Sequence, residues 1–519
     1  MDVGLLLLIA LCSLAYWLYS KNKDYNVLCF FTKRVKTVSG APVETIAPIA
    51  PGRTIFGNAF DVYGFDHAAI FQHQRKRAKE MRTSYLEYGM GAAVYNILDA
   101  DNMEAVLNDQ NLITKSIVYN FLKPALRTGL LTSTDKKWHS RRKMITPTFH
   151  FNILSQFEEI FKAESIKFVQ QFAKDTEIDI SLSELIPRFT LNSICETAMG
   201  IKLDDMAEQG DRYRDNFSMI EKCFIRRVSN PLLWFDKIYN MFVASEFESA
   251  FRGVHEFSSE IIAKRRTLLE HEIKTRMDQQ TPDEDIYINK KQRFAMLDTL
   301  IFAEQDGLID HRGICEEVDT LMFEGFDTTS IGLIFGLMNA SLNPEAQRKC
   351  YEELSEHIAD DLSNVDVNQL SKLKYMDCFV KETMRLFPSV PIMARQTVRE
   401  TQLSNGLILP PYTQIVMHVF DVHRNPKHWS HPDEFQPERF LPENYQDRHT
   451  YAYVPFSAGQ RNCIGQKYAM LEMKTLLVVL LKQFEVLPLV DPKEFVFHTG
   501  ITLRTKNNVK VKLVRRQQN

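Results

Sequence analysis

Cys463 stands in the stretch Pro455-Phe456-Ser457-Ala458-Gly459-Gln460-Arg461-Asn462-Cys463-Ile464-Gly465, between two glycines and two residues after an arginine. An apolar run of helical character, Gln466 to Phe484, follows at once. Glycine lets backbone approach a bulky group, arginine seeks an anion, and a cysteine at a helix N-terminus is poised as a thiolate. A flat, anionic, metal-bearing ligand satisfies all three.

Haem has those properties. A cysteine thiolate is one of the axial ligands haem iron accepts, and it favours O–O cleavage. The porphyrin is the flat body and its propionates are the anions. Cys463 is therefore the expected metal ligand and haem b the expected cofactor. Gly459 and Gly465 are expected to provide clearance, and Arg461 a propionate partner. The helix start behind Cys463 supplies N–H dipoles to the sulfur, and Phe456 packs beside the ligand to exclude water.

The stretch FSAGQRNCIG fills all five fixed positions of F-x-x-G-x-R-x-C-x-G and so resembles the haem-binding signature of the cytochrome P-450 superfamily. Glu382-Thr383-Met384-Arg385 resembles that family's ExxR element, and residues at i and i+3 share a helix face, so carboxylate and guanidinium can pair. Phe435 to Phe440, FQPERF, resembles its PERF box, whose Arg439 is expected to complete an Arg-Glu-Arg cluster that holds the core and does no catalysis. Trp138 and Arg142, one turn apart in WHSRR, match WxxxR. The resemblance gives both to the haem propionates, with Arg395 and Arg461 as further members of a multi-donor clamp.

The segment Phe323-Glu324-Gly325-Phe326-Asp327-Thr328-Thr329-Ser330 lies in a long helical pattern. The superfamily has an acid-threonine pair here, distal to the haem. Reducing O2 and splitting its O–O bond consumes two protons, which a Thr328 hydroxyl fed by Asp327 and water can deliver in a dry pocket. Gly325 is expected to remove a side chain where oxygen must fit. Glu324 precedes Thr328 by four residues and shares its helix face. Members of family 4 with glutamate here can esterify it to a haem methyl, so covalent attachment through Glu324 is a further expectation. The finer resemblance is to family 4, in particular its insect microsomal members, and covers nearly the whole body. One departure is Phe326, where that family usually has histidine.

The elements that must position these residues are mostly helical. A helix is expected from about Asp310 to Leu342, stopped by Asn343-Pro344, and another ending at Phe387-Pro388. Alternation in Val509-Lys510-Val511-Lys512-Leu513 predicts a C-terminal strand. The pattern predicts a fold that is mainly α with minor β, and the resemblance implies the cytochrome P-450 fold, with haem between a long distal helix and the cysteine loop. Residues 1–20 read as a membrane anchor, since Val3 to Tyr19 carries no charge and basic Lys21, Lys23, Lys33, Arg34 and Lys36 follow it. Residues 21–52 read as a linker ending in a Pro-rich hinge, Ala47 to Gly52, and residues 53–519 as one monooxygenase domain. Lys274 to Arg293 is polar enough to predict an exposed loop.

Composition narrows the function. The 519 residues carry 63 basic and 66 acidic side chains, a net charge of −3 that argues against binding nucleic acid through bulk charge. The eight cysteines are scattered without a CxxC pair, which reads as reduced thiols facing a cytosol. The resemblance to family 4 implies an endoplasmic reticulum monooxygenase with its body in the cytosol, expected to hydroxylate long apolar substrates, fatty-acid-like, hormonal or xenobiotic, with O2 and electrons from NADPH. No GxGxxG fingerprint is present, so a separate NADPH-cytochrome P-450 reductase is the expected donor and cytochrome b5 a second one. Lys136, Lys137, Arg141, Lys143 and Lys467 form a candidate docking patch. A peroxide isomerase or dehydratase, or a non-catalytic haem carrier or sensor, would not need Asp327 and Thr328.

Overall fold

The computed structural model describes residues 12–13, 35–52, 57–89, 92–149, 151–279 and 295–517. The helices that bear on the site are α1 (His67–Met81), α2 (Ala100–Asn108), α3 (Asp135–Ile145), α4 (Phe151–Gln170), α5 (Leu182–Thr197), α6 (Ala207–Ser229), α7 (Ala244–Gln279), α8 (His311–Leu342), α9 (Lys374–Leu386) and α10 (Gln466–Gln483). The strands that bear on the site are β1 (Tyr85–Gly89), β2 (Ala92–Ile97), β3 (Glu177–Ser181), β4 (Met393–Gln396), β5 (Gln414–Met417), β6 (Phe484–Pro488), β7 (Phe497–Thr499), β8 (Leu503–Thr505) and β9 (Lys510–Arg515). The protein is thus mainly helical with small sheets. One sheet runs β1-β2-β5-β4, with β2 and β5 parallel, and a second runs β3-β9-β6. Strands β7 and β8 make a separate antiparallel hairpin with Thr499 opposite Leu503.

Helix α8 is the axis of the core. Asp310 caps it by accepting a hydrogen bond from the Gly313 N–H at 2.8 Å, and Pro344 forbids its continuation past Asn343. Its apolar faces all find partners: Leu333, Leu337 and Met338 pack with Leu476, Leu477 and Leu480 of α10, and Val318, Leu321 and Met322 with Leu191 and Ile194 of α5. Among the described residues α8 alone is long and apolar enough to cross a membrane, but it is buried inside the protein, as a core helix is. The expected anchor, Val3 to Tyr19, lies outside the described residues apart from Cys12 and Ser13.

Two expectations change. Ala47 to Ala50 is non-helical as read, but it is pinned: the Leu86 N–H donates to the Pro48 carbonyl at 2.9 Å, and the Ala50 N–H to the Leu86 carbonyl at 2.8 Å. Ala47 is fully buried, so this stretch packs as part of the body and is no free hinge. Lys274 to Gln279 is helical as the end of α7, where Thr275 Oγ1 donates to the His271 carbonyl at 2.9 Å. The remainder of the expected loop lies outside the described residues.

Under the cysteine loop sits a buried charge cluster. Arg385 makes a two-pronged contact with Glu382, 2.7 Å from Nε and 2.8 Å from a terminal nitrogen, with both side chains fully buried. Its other N–H groups reach the carbonyls of His423 (3.0 Å), Pro432 (2.6 Å) and Glu434 (2.9 Å). All five donors of the guanidinium are thereby used, which offsets its desolvation. Arg439 lies 3.3 Å from the same carboxylate and completes the Arg-Glu-Arg cluster. It joins α9 to the chain that leads into the cysteine loop.

Candidate active site

Helix α8 and the cysteine loop wall a common cavity. Glu324, Gly325 and Thr328 line it from α8, Phe456, Arg461, Cys463 and Gly465 from the loop, and Trp138 and Arg142 from α3. Arg395 of β4 completes the residues expected from sequence. Asp327 does not line it.

The loop reaches the cavity by a tight turn. The Cys463 N–H donates to the Phe456 carbonyl at 2.9 Å, and Ser457 and Gly459 adopt φ of 59° and 67° between them. A Cβ at Gly459 would stand 2.0 Å from the Leu107 carbonyl oxygen. The clearance expected there for a cofactor therefore admits the last turn of α2. Gly465 does line the cavity, with Cys463 Sγ 4.0 Å from where its Cβ would be. Gly325 departs from its expected role too: its missing Cβ would stand 2.6 Å from Ile194, so glycine there lets α5 approach α8.

The Cys463 sulfur lies deep in the protein, and its accessible surface is cavity wall. Burial, and then the nearby Glu324, push its thiol up to about 12. A metal ion would deprotonate it outright.

Cations gather beside it. The Arg461 guanidinium stacks over Trp138 at 4.5 Å and donates to the carbonyls of Ile113 (3.0 Å), Leu130 (3.3 Å) and Ser133 (2.6 Å). Burial, and then Arg395, push it down to about 9. Arg395 is buried, and among the described residues its hydrogen bond goes to the neighbouring Ala394 carbonyl at 3.2 Å. Lys115 pairs by backbone with Arg395 and lines the same cavity; burial, and then Arg395 and Arg461, hold its ammonium well below the usual lysine range. Lys115 was not legible in the sequence, since a lone lysine ordinarily lies at the surface. Arg142 spends two donors on Asn462, 2.9 Å to its carbonyl and 2.6 Å to its side-chain oxygen.

Like charges packed this closely in a low-dielectric cavity require an anion of more than one charge. Glu324 supplies one negative charge at most, and burial holds its carboxyl above the usual range. A planar group with two carboxylates and a thiolate-binding metal answers all of these demands. The donor set fits haem.

The acid-threonine pair is arranged differently from the expectation. The Thr328 hydroxyl donates to the Glu324 carbonyl at 2.7 Å, and Ser389 Oγ donates to the Thr328 carbonyl at 2.7 Å. Asp327 is buried on another side of α8, where Thr502 Oγ1 donates to it at 2.9 Å and Arg504 pairs with it. Direct delivery from Asp327 into the cavity is therefore blocked in this conformation, because a cation holds the carboxylate elsewhere. Phe326, the family departure, packs with Tyr213 and Phe217 of α6 and stays out of the cavity wall. The expected docking patch is partly neutralised: Lys137, itself exposed, reaches Glu316 at 2.6 Å and Arg141 lies 3.6 Å from Glu317, while Lys136, Lys143 and Lys467 are exposed.

Residues 48–513 match the protein family described as Cytochrome P450. The chain is 69% identical to Cytochrome P450 4p1 of Drosophila melanogaster, over 98% of this chain and 99% of that one. It is 65% identical to the Probable cytochrome P450 4p3 of the same fly, over 97% and 98%. With the human Cytochrome P450 4V2 it shares 39% identity over 82% of this chain and 80% of the other. A haem-fitting cavity walled by a cysteine loop and a long distal helix, in a chain matched nearly end to end, belongs to a haem-thiolate monooxygenase of the cytochrome P450 family, family 4.

Proposed function

We propose that Cys463 would hold the haem iron through its thiolate and that this monooxygenase hydroxylates long apolar substrates with electrons from NADPH, passed on by a separate flavoprotein reductase. The observation that carries the reading is the cavity itself, where a deep thiol, a dianion-seeking cation cluster and Thr328 share one wall system. Bound haem supplies reductive activation of O2, with one oxygen atom entering the substrate and the other leaving as water.

The chain's own residues do the rest. Trp138, Arg395, Arg461 and Lys115 hold the propionates, and Arg142 fixes the loop through Asn462. Phe456 shields the sulfur from water. Thr328 holds a proton on its hydroxyl at the cavity wall, and Asp327 resupplies it after leaving Arg504. Glu324 would attach the haem covalently: its carboxylate oxygen would replace one hydrogen of a haem methyl, the two electrons and the proton being taken up by O2 activated during NADPH-driven turnover, and the ester would remove the need to bury a free carboxyl. The reductase, with cytochrome b5 as second donor, docks where Lys136, Lys143 and Lys467 are exposed beside α3 and the cysteine loop. Residues 1–20 anchor the body at the cytosolic face of the endoplasmic reticulum.

The deciding experiment is the reduced carbonyl spectrum of Cys463→Ala, expected to lose its thiolate-type band; survival of the band overturns the assignment. Substrate loss from a panel of fatty acids and terpenoids, with and without NADPH and reductase, tests the reaction and substrate class. Deleting Met1 to Ser20 is expected to release much of the protein from membranes with haem retained, and a body mapped to the lumen by protease protection overturns the topology.

A further inference from the structure

Three consecutive residues of the C-terminal hairpin connect to the Asp327-Thr328 pair, Thr502 and Arg504 directly and Leu503 through Ser389. Thr502 Oγ1 donates to Asp327 at 2.9 Å, and Arg504 pairs with the same carboxylate. The Leu503 N–H donates to the Ser389 carbonyl at 2.9 Å, and Ser389 in turn donates to the Thr328 carbonyl at 2.7 Å. Arg504 has a second partner, Glu221 of α6, at 3.0 Å. Glu221, Asp327 and Thr502 are all buried.

A polar cleft separate from the substrate cavity leads to this triad. Its walls include Glu184 and Arg188 of α5 and Asp211 and Arg214 of α6, and Asp327 and Arg504 contribute to its lining. The acid next to Thr328 thus meets a polar, solvent-connected space on one side and the hairpin on another.

We propose that Arg504 and Thr502 are positioning residues for proton delivery: they hold Asp327 at the inner end of this cleft, where it loads a proton from solvent before turning to Thr328. The proposal rests on the reading of Asp327 as the proton source. Glu221 explains why the cluster has three charged members, Asp327, Arg504 and Glu221. Protonation neutralises Asp327 and ends the Coulomb attraction of Arg504, so the carboxyl can leave. Arg504 is not orphaned, because Glu221 remains as its counterion. Each proton passed toward Thr328 is replaced by one from cleft water, and Asp327 returns to its starting charge. Since Glu221 lies on α6, a shift of that helix would change how tightly Arg504 holds the acid.

The test counts NADPH, O2 and hydrogen peroxide with the holoenzyme, an added reductase and dodecanoic acid as probe, which needs no knowledge of the product. Arg504→Gln and Thr502→Val are expected to raise the peroxide share about three- to tenfold, the scale of a weakened general acid. Arg504→Lys is expected to stay near wild type. The double variant Asp327→Asn with Arg504→Gln is expected to add nothing beyond Asp327→Asn alone. Haem content and the reduced carbonyl spectrum establish that each variant is folded, and hydrogen exchange of residues 497–505 reports hairpin order independently of turnover. Looser exchange with wild-type peroxide in Arg504→Gln makes the triad a mere staple and overturns the proposal. Should Arg504→Gln fail to fold, unchanged peroxide in Thr502→Val overturns it equally. Wild-type peroxide in Asp327→Asn removes the underlying reading of the acid, and only uncoupling by Asp327→Asn without uncoupling by Arg504→Gln refutes the positioning role alone.

Discussion

Arg142 grips Asn462 by two hydrogen bonds, 2.9 Å to its carbonyl and 2.6 Å to its side-chain oxygen, and so ties α3 to the residue before Cys463. A hydrogen bond to a charged donor contributes about 1.5–3 kcal/mol. Losing two of them frees the loop that carries the cysteine. Arg142→Ala is expected to raise the haem dissociation rate at least about tenfold with little change in helix content. Haem transfer to apomyoglobin measures it, and transfer at the wild-type rate removes Arg142 from this role. Asn462→Ala, which removes only the side-chain oxygen, is expected to have a smaller effect in the same direction.

The Thr328 hydroxyl is held by the Glu324 carbonyl, and its own carbonyl by Ser389. Thr328→Ala is expected to keep NADPH oxidation within about twofold of wild type while product per NADPH falls at least about tenfold and peroxide rises. Ser389→Ala leaves the hydroxyl in place but frees the peptide, so its loss of coupling is expected to be partial. Tight coupling in Thr328→Ala would assign proton delivery to another group.

His423 makes stability depend on pH. Its Nε2 accepts from the Val454 N–H at 2.8 Å and its Nδ1 lies 3.2 Å from the Arg385 carbonyl, so the buried ring is neutral with the proton on Nδ1. Burial, and then the Arg385 charge, push it down to about 3 from the ordinary 6.5. The unfolded chain therefore binds a proton that the folded protein refuses. Stability from this group is complete above about pH 6.5 and is lost as pH falls toward 3, by about 1.4 kcal/mol per unit. His418, buried and held down to about 3, acts in the same direction. Urea midpoints between pH 7.5 and 5 are expected to fall, and a flat profile refutes the neutral, buried assignment.

Local chemistry made much of this protein legible. Pro344 ends α8 whatever surrounds it, Glu382 and Arg385 share a face on any helix, and alternation around Val511 suits only a strand. What stayed hidden depends on partners far along the chain. Asp327 turns from the cavity because Arg504, 177 residues later, holds it. Gly459 is required by the approach of Leu107, and the charge of Lys137 is paired by Glu316. The cavity end that needs Lys115 is formed by backbone pairing with Arg395, for which one sequence carries no signal.

The Gly459 finding gives its own test. A Cβ there meets a backbone carbonyl at 2.0 Å, and the residue sits at φ 67°, where a side chain is disfavoured. Neither strain relaxes by a rotamer change, so Gly459→Ala is expected to destabilise by about 2–4 kcal/mol and lower haem content. Gly465 has ordinary contact distances, its nearest neighbour being Cys463 Sγ at 4.0 Å. Gly465→Ala is therefore expected to leave stability near wild type while changing the haem spectrum. Equal destabilisation by the two substitutions, measured by urea denaturation, refutes this division of roles.

Glu324 carries the last expectation. It lines the cavity one helical turn before Thr328, and burial is the first cause holding its carboxyl above the usual range, with Lys115 and Arg142 opposing. An acid in that position is stabilised either by remaining protonated or by ceasing to be an acid. Esterification to the haem does the second permanently, so acidic organic solvent is expected to leave haem on the turned-over wild-type protein and to strip it from Glu324→Ala. Glu324→Gln separates attachment from packing, since it keeps the shape and cannot ionise: haem is expected to bind and then to extract completely. Complete extraction from active wild-type protein refutes the covalent link and leaves a protonated glutamic acid, which a carboxylic C=O band absent from Glu324→Gln would reveal.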